Sequence, residues 1–219
     1  MGRPLPAAHP VLRHRAINLP VLFILALGSQ AAQAQDALPR MYAGQTASTW
    51  LSELRGGVLW HDPAWLAGGR ESSVDINGEL LFVTPLPRAW AESLSPAWRW
   101  LATPRPHIGF SANTSGRTSF GYLGATWSMA LARDVFRPGD AIRFDVFGGG
   151  AVHDGLRNTT LSDRKALGSS VLFRGGGEIG YQFDQRYSVS LFIDHLSNAG
   201  LSRKNEGLNT VGLRFGFGF

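Results

Sequence analysis

The chain has 219 residues, contains no cysteine and carries a formal net charge of +5. Its length suits one domain of ordinary size, and the lack of cysteine excludes a disulfide framework and thiol chemistry. Three arginines and no acidic residue lie in the first 34 residues, so the remaining chain has a net charge of only +2. This balance gives no ground for predicting a nucleic-acid partner.

The first 34 residues have the pattern of a secretory signal peptide. A basic region with three arginines precedes an almost wholly apolar segment at residues 16–27, and a small-x-small cleavage site follows at residues 32–34. The apolar segment is too short to span a bilayer comfortably. We therefore predict a signal peptide over residues 1–34 and a single barrel domain over residues 35–219.

Eight strand-like segments follow in the chain. They lie near residues 52–61, 72–84, 105–113, 117–130, 141–152, 169–183, 186–196 and 208–219. Most are long enough for a tilted strand to cross a bilayer. No later apolar stretch of eighteen residues appears, and only helices and closed barrels satisfy every backbone polar group in lipid. We therefore predict an all-β fold, an eight-stranded antiparallel transmembrane β-barrel of the bacterial outer membrane.

Alternating polarity assigns two faces to these segments. In the last one, Val211, Leu213 and Phe215 share one parity, which points to the opposite face from Arg214. The same alternation predicts nine charged side chains inside the barrel: Arg55, Arg143, Arg174, Arg214, Asp75, Glu79, Asp145, Glu178 and Asp194. Small barrels are filled by side chains, and buried charges must be paired. We interpret these residues as structural filling.

The connections between the segments differ in length. If the first segment starts in the periplasm, four connections face outward: residues 62–71, 114–116, 153–168 and 197–207. The connection at residues 85–104 is long for a periplasmic turn and contains three tryptophans, and it predicts a short amphipathic helix at the inner rim. His61 and His153 are interpreted as solvated residues, too dispersed to predict a metal site.

His195 and Ser197 continue the outward parity of the seventh segment. Burying an imidazole against acyl chains without a partner is costly, so packing alone does not explain the pair. A serine beside a histidine can lose its proton as it attacks an ester carbonyl, provided that a third group holds the imidazole. Asn209 begins the eighth segment on the outward parity and is one candidate, and Glu206 in the preceding loop is the charged alternative.

An esterase also needs donors for the oxyanion that forms at the carbonyl. Asn198 and Asn205, with backbone amides near Gly200, are the candidates. The sequences S-N-A-G and N-E-G are equally good turn sequences, because asparagine and glycine tolerate left-handed conformations. The mechanism needs no metal and no cofactor.

The H-x-S-N-A-G stretch and the later N-x-G, within residues 194–213, resemble the lipid A 3-O-deacylase (PagL) family of outer-membrane enzymes. The segment ELRGGVLWHDPAWLAGGRESSVDINGELLF is similar to the first hairpin of bacterial proteins grouped with this family as acyloxyacyl hydrolases. The resemblance implies that His195 is the general base and Ser197 the nucleophile, with Asn198 and Asn205 in the oxyanion region. It also implies an acid where this chain has Asn209.

Three functions follow as hypotheses. The leading one is a lipid A deacylase that hydrolyses the ester-linked 3-hydroxyacyl chain at the 3-position, with lipid A or lipopolysaccharide and the outer-membrane lipid as partners. The second is a non-catalytic small barrel with surface-binding loops, which the absence of an acid at Asn209 favours. The third is a soluble periplasmic lipid-binding barrel, which would need polar outward faces. Whether the protein forms a homodimer is left open.

Overall fold

The structure is a computed structural model, and it describes residues 50–219. The predicted signal peptide over residues 1–34 and the first part of the predicted barrel domain, residues 35–49, lie outside the described residues. None of the helices within residues 50–219 is long and apolar enough to cross a membrane.

The described residues form eight strands and three short helices. In chain order these are β1 (Leu51–His61), α1 (Ala64–Ala67), β2 (Ser73–Phe82), α2 (Arg88–Ser93), α3 (Pro96–Ala102), β3 (Arg105–Asn113), β4 (Phe120–Arg133), β5 (Ala141–His153), β6 (Val171–Gln182), β7 (Tyr187–Ser197) and β8 (Leu208–Gly218). Each strand pairs antiparallel with the next, and β1 pairs with β8 to close the barrel. The prediction of an eight-stranded antiparallel barrel is confirmed.

Exposure alternates along the strands as the sequence predicts. On β7, every residue from Tyr187 to Leu196 switches between exposed and buried. Val189, Leu191 and Ile193 face outward and are exposed, as are apolar side chains on the outward faces of the other strands. A continuous apolar outer wall does not suit a soluble periplasmic barrel, whose outward face would have to be polar.

The barrel interior is filled by paired charges. All nine charged residues predicted to lie inside are buried. Arg55 contacts Glu53 at 2.9 Å, Asp145 at 2.6 Å and Glu178 at 3.0 Å. Glu53 and Arg105 also join this network, at 2.8 Å from each other, although the prediction did not include them. These pairs compensate the charges that fill the barrel, as the burial of charged side chains requires.

One end of the barrel carries the connections β1–β2, β3–β4, β5–β6 and β7–β8, and we call it the long-loop end. An apolar cluster lies beneath these connections: Phe120, Tyr122, Ala151, Leu167, Leu172, Leu196 and Leu208. Leu167 belongs to the β5–β6 connection, so this connection folds into the barrel mouth and buries side chains there.

The opposite end carries the long β2–β3 connection. The single amphipathic helix expected there is replaced by two helices, α2 and α3. Pro96 at the first turn of α3 suits a helix start and prevents α2 from continuing. The indole of Trp100 donates to the carbonyl of Ser128 at 3.1 Å, and the indole of Trp127 donates to the carbonyl of Leu101 at 2.9 Å. These bonds fasten α3 to β4.

The interpretation of His61 and His153 as solvated residues is wrong. His61 is fully buried, because it ends β1 on the inward parity, and its Nδ1 lies 2.8 Å from Asp75 Oδ2. His153 is half-buried, and its Nε2 lies 2.6 Å from the carbonyl oxygen of Ser169. Both rings are covered by connections of the long-loop end, whose contacts no local pattern in the sequence indicates.

Candidate active site on the outer wall

His195 and Ser197 lie on the outward face at the end of β7, next to the long-loop end. The register of the β7–β8 hairpin places Asn209 directly opposite His195. Nδ1 of His195 lies 2.9 Å from Oδ1 of Asn209. The imidazole is exposed, and Ser197 and Asn209 are partly exposed. The hairpin therefore brings His195 and Asn209 into contact, and Ser197 lies two residues further along the same outward face, on a wall that is otherwise apolar.

The surroundings of His195 are built from glycine. On β6, Gly175 is paired with His195, so the position directly beside His195 carries no side chain. Gly207 has φ +65°, and a Cβ built there would lie 2.9 Å from Cε1 of His195. Since a side chain at Gly207 would push against the ring, glycine lets the backbone itself form one wall of the imidazole site.

Glu206 does not contact the imidazole among the residues that the structure describes. Its Oε1 accepts a hydrogen bond from Arg70 Nη1 at 2.8 Å, and its Oε2 accepts one from the backbone N–H of Ala166 at 2.7 Å. The carboxylate is thus directed toward two other connections of the long-loop end. Of the two candidates for the third group, Asn209 is the one that the fold brings to His195.

The two asparagines of the β7–β8 connection differ in their surroundings. Asn198 is buried, and its Nδ2 donates to the carbonyls of Leu167 at 2.9 Å and Lys204 at 2.6 Å, while its Oδ1 accepts from Gly200 N at 3.0 Å. Asn205 is exposed, and its Oδ1 accepts from the backbone N–H of Asn198 at 2.9 Å. Within residues 50–219, Nδ2 of Asn205 has no partner, so it is free to meet a ligand.

The S-N-A-G sequence also forms the turn that its composition predicts. Ala199 has φ +54° and Gly200 has φ +81°, both left-handed, and Leu201 N donates to the carbonyl of Asn198 at 3.0 Å. The turn and the candidate site therefore share the same residues. No group of three or more histidine, aspartate or glutamate residues within the described range is placed to hold a metal ion.

Sequence reasoning did not identify Arg70, Ala166 or Gly207 as neighbours of the site. Gly207 follows Glu206 in a recognisable turn sequence, but its contact with His195 depends on how the connection folds. Arg70 and Ala166 lie far from Glu206 in the chain, and neither residue type carries a signal of its own.

Comparisons with known proteins identify a family and a similar fold. The sequence profile of the family described as "Lipid A 3-O-deacylase (PagL)" matches residues 88–218. The crystal structure of the outer membrane enzyme PagL matches with a TM-score of 0.55 at 18% identity, covering 75% of this chain and 97% of that chain. The N-terminal β-barrel domain of Pseudomonas aeruginosa OprF matches with a TM-score of 0.46 at 14% identity, covering 76% and 97%. No curated protein sequence matches the chain significantly.

The family profile covers more than half of the sequence and includes β7, the β7–β8 connection and the whole of β8. The closed barrel is also the fold of the PagL crystal structure. This chain therefore belongs to the lipid A 3-O-deacylase (PagL) family of lipid A deacylases, and it is a β-barrel of the bacterial outer membrane.

Proposed function

We propose that this protein hydrolyses the ester-linked 3-hydroxyacyl chain at the 3-position of lipid A, with Ser197 as nucleophile and His195 as general base. The observation that carries the proposal is the 2.9 Å contact between His195 Nδ1 and Asn209 Oδ1, two residues from Ser197 on the lipid-facing wall. Placing a polar cluster against lipid costs free energy, and polar groups at such positions mark functional sites. Membership of a lipid A deacylase family supports the same conclusion.

Asn209 fixes the state of the imidazole that the reaction needs. Because its Oδ1 accepts the Nδ1 proton of His195, the lone pair of the ring lies on Nε2, where it can take the proton of the Ser197 hydroxyl. An asparagine orients the ring but brings no negative charge to the imidazolium that forms in the transition state. We therefore expect a slower enzyme than one with a carboxylate at this position.

The reaction follows from these roles. Oγ of Ser197 attacks the ester carbonyl while His195 Nε2 takes its proton, and the tetrahedral intermediate collapses by expelling the sugar hydroxyl, to which His195 returns the proton. Water then hydrolyses the acyl-serine and releases the 3-hydroxy fatty acid. The exposed Nδ2 of Asn205 is a donor for the oxyanion, and Asn198 and Gly200 shape the turn that presents it.

The position of the site suits a substrate that is itself a membrane lipid. Ile193 and Val211 lie one pleat further along the same outward face, and the site is open on the side of Gly175. Lipid A in the same bilayer can therefore reach Ser197 by lateral diffusion along the wall, without a tunnel through the charged interior.

The test is mass spectrometry of lipid A from cells that express the wild type or Ser197→Ala. Wild type should remove one ester-linked 3-hydroxyacyl chain, and the substitution should abolish the removal. Ser115→Ala is the matched control, because Ser115 is an exposed serine in the β3–β4 connection and should leave the activity unchanged. Lipid A that retains the 3-position chain in wild-type cells would contradict the proposal.

One observation favours a second function, a non-catalytic barrel with surface-binding loops. Asn209 occupies the position where the family resemblance implies an acid, so the site lacks the charge that stabilises an imidazolium. In that case neither wild type nor Ser197→Ala would change lipid A, and Asn209→Asp would have to create the activity rather than increase it.

A further inference from the structure

The β7–β8 connection, residues 198–207, is here called the active-site loop. It is held by residues 165–168 of the β5–β6 connection, which we call the brace. Four hydrogen bonds join them: Asn198 Nδ2 to the Leu167 carbonyl at 2.9 Å, Ser202 Oγ to the Gly168 carbonyl at 3.1 Å, Glu206 N to the Ala166 carbonyl at 3.3 Å, and Ala166 N to Glu206 Oε2 at 2.7 Å. The active-site loop is thus supported from outside its own hairpin.

The brace and the active-site loop are in direct backbone contact. Gly168 has φ +78°, and a Cβ built there would lie 1.9 Å from the carbonyl oxygen of Lys204 and 2.6 Å from Nδ2 of Asn198. Ala166 and Leu167 are buried. Because no side chain separates the two segments, a shift of the brace moves the active-site loop with it.

The brace is itself anchored at the barrel mouth by the buried carboxylate of Glu71. Its oxygens accept from the backbone N–H groups of Lys165 at 2.8 Å and Thr118 at 3.1 Å, and from Arg164 Nε at 3.3 Å. The Lys165 ammonium pairs with Asp62. The connections β1–β2, β3–β4 and β5–β6 are therefore tied together around Glu71.

Glu206 links the active-site loop to this anchored group. Its carboxylate accepts from Arg70, the neighbour of Glu71, and from the backbone of Ala166. It lies between Asn205, which carries the free amide donor, and Gly207, where an added Cβ would press on the His195 ring. A displacement of Glu206 would move both of these neighbours.

We infer that Glu206 is a positioning residue: its carboxylate bridges the active-site loop to Ala166 and Arg70, and so holds Asn205 and Gly207 at the reacting groups. It is not the third member of the triad. The effect on catalysis rests on the proposed function, whereas the bridge itself does not. The bond from Ala166 needs only an acceptor at residue 206, and the pair with Arg70 is partly exposed and contributes less.

The inference is tested first by comparing Glu206→Gln with Glu206→Ala in lipid A deacylation. Glutamine keeps an acceptor for the Ala166 N–H, so its rate should stay within about threefold of wild type with an unchanged pH profile. Alanine removes the bridge, and small displacements of reacting groups cost up to about a hundredfold. A glutamine variant as damaged as the alanine variant would overturn the inference, because a triad acid depends on its charge.

The second measurement does not depend on activity. Arg203 and Lys204 are exposed in the active-site loop, so trypsin cleavage after these residues reports how firmly the loop is held. Glu206→Ala should be cleaved about tenfold faster than wild type there, and Glu206→Gln should behave like wild type. Cleavage after the exposed Arg186, in the β6–β7 turn, is the internal control.

The two measurements separate the possible failures. Equal cleavage of wild type and Glu206→Ala at Arg203 and Lys204 would overturn the bridge. Faster cleavage of Glu206→Ala, together with a wild type that leaves lipid A intact, would support the bridge and refute the proposed deacylation instead.

Discussion

The barrel interior and the outer wall use polar side chains in opposite ways. Inside, Arg214 lies 3.0 Å from Glu79 and 2.5 Å from Glu178, within a network in which every charge is compensated. On the wall, His195 has Asn209 as its hydrogen-bond partner among residues 50–219, and lipid-facing apolar side chains lie around the pair. Dense pairing makes the interior charges structural, whereas sparse pairing leaves the groups on the wall available for chemistry.

The largest expected effect is on the deacylation rate, from a substitution on the outer wall that leaves the barrel interior unchanged. His195→Ala removes the proposed base, and losing one member of such a triad typically lowers the rate by about 10³- to 10⁴-fold or more. The barrel should still fold, since the side chain faces outward. Lipid A mass spectrometry measures the rate, and heat-modifiable gel mobility checks folding. Retention of a tenth of the wild-type rate would show that His195 is not the base.

The next effect is on the free energy of unfolding, from a substitution in the barrel interior that leaves the outer wall unchanged. Arg55→Met leaves the carboxylates of Glu53, Asp145 and Glu178 without one of their shared cations, and removing one partner from a buried ion pair costs about 3–5 kcal/mol of unfolding free energy. Urea unfolding in lipid vesicles measures the loss. Arg186→Met, at an exposed arginine of the β6–β7 turn, is the matched control and should change stability by less than about 0.5 kcal/mol. Equal values for the two variants would contradict a structural role for the network.

A smaller effect on the deacylation rate is expected when one charge is added to the outer wall. Asn209→Asp would give the imidazolium a carboxylate partner, and a hydrogen bond to a charged group is worth about 1.5 kcal/mol or more, which corresponds to roughly a tenfold faster deacylation. Asn209→Leu keeps a similar size and removes the acceptor, so it should lower the rate. If neither substitution changes the rate, Asn209 does not serve His195.

The smallest effect concerns pH and lies at the barrel mouth. Burial would raise the pKa of the Glu71 carboxyl, but the His61 imidazole 3.6 Å away and hydrogen bonds from the backbone N–H groups of Lys165 and Thr118 outweigh burial and lower this pKa from 4.5 to about 2. A depressed pKa contributes stability that is present above pH 4.5 and is lost as the pH falls toward 2. Hydrogen-exchange protection of the Lys165 and Thr118 amides should therefore fall over this range.

Glu71→Gln should lack the pH dependence of protection between pH 4.5 and 2. Glu92→Gln is the control at the opposite end of the barrel, where Glu92 is exposed beside Arg88. It should keep the wild-type dependence. A wild type whose protection is constant over this range would show that Glu71 does not hold the connections through its charge.

The strands could be predicted from the sequence because each carries its own periodic signal. Alternation along residues 186–196 and 208–219 gave both the β7–β8 hairpin and the outward direction of His195, Ser197 and Asn209. Antiparallel pairing of neighbours then made contact between His195 and Asn209 plausible. These features need only local pattern and short connections.

The long-loop end could not be predicted in the same way. Glu206 meets Ala166 and Arg70, which lie 40 and 136 residues away in the chain, and His61 is buried by connections that have no periodicity. Likewise, the two helices of the β2–β3 connection are separated by the Ser95–Pro96 start of α3, where composition had indicated one helix. Such contacts depend on how irregular segments pack together, which local sequence does not encode.

The β7–β8 hairpin has a consequence for how this chemistry can be inherited. The proposed base, the proposed nucleophile and Asn209 all lie on one supersecondary unit, and strand register alone brings His195 and Asn209 into contact. A barrel of equal strand number could acquire the beginnings of an esterase by exchanging this single unit. Such a barrel would also need residues 165–168, because these residues hold the loop between β7 and β8 in place.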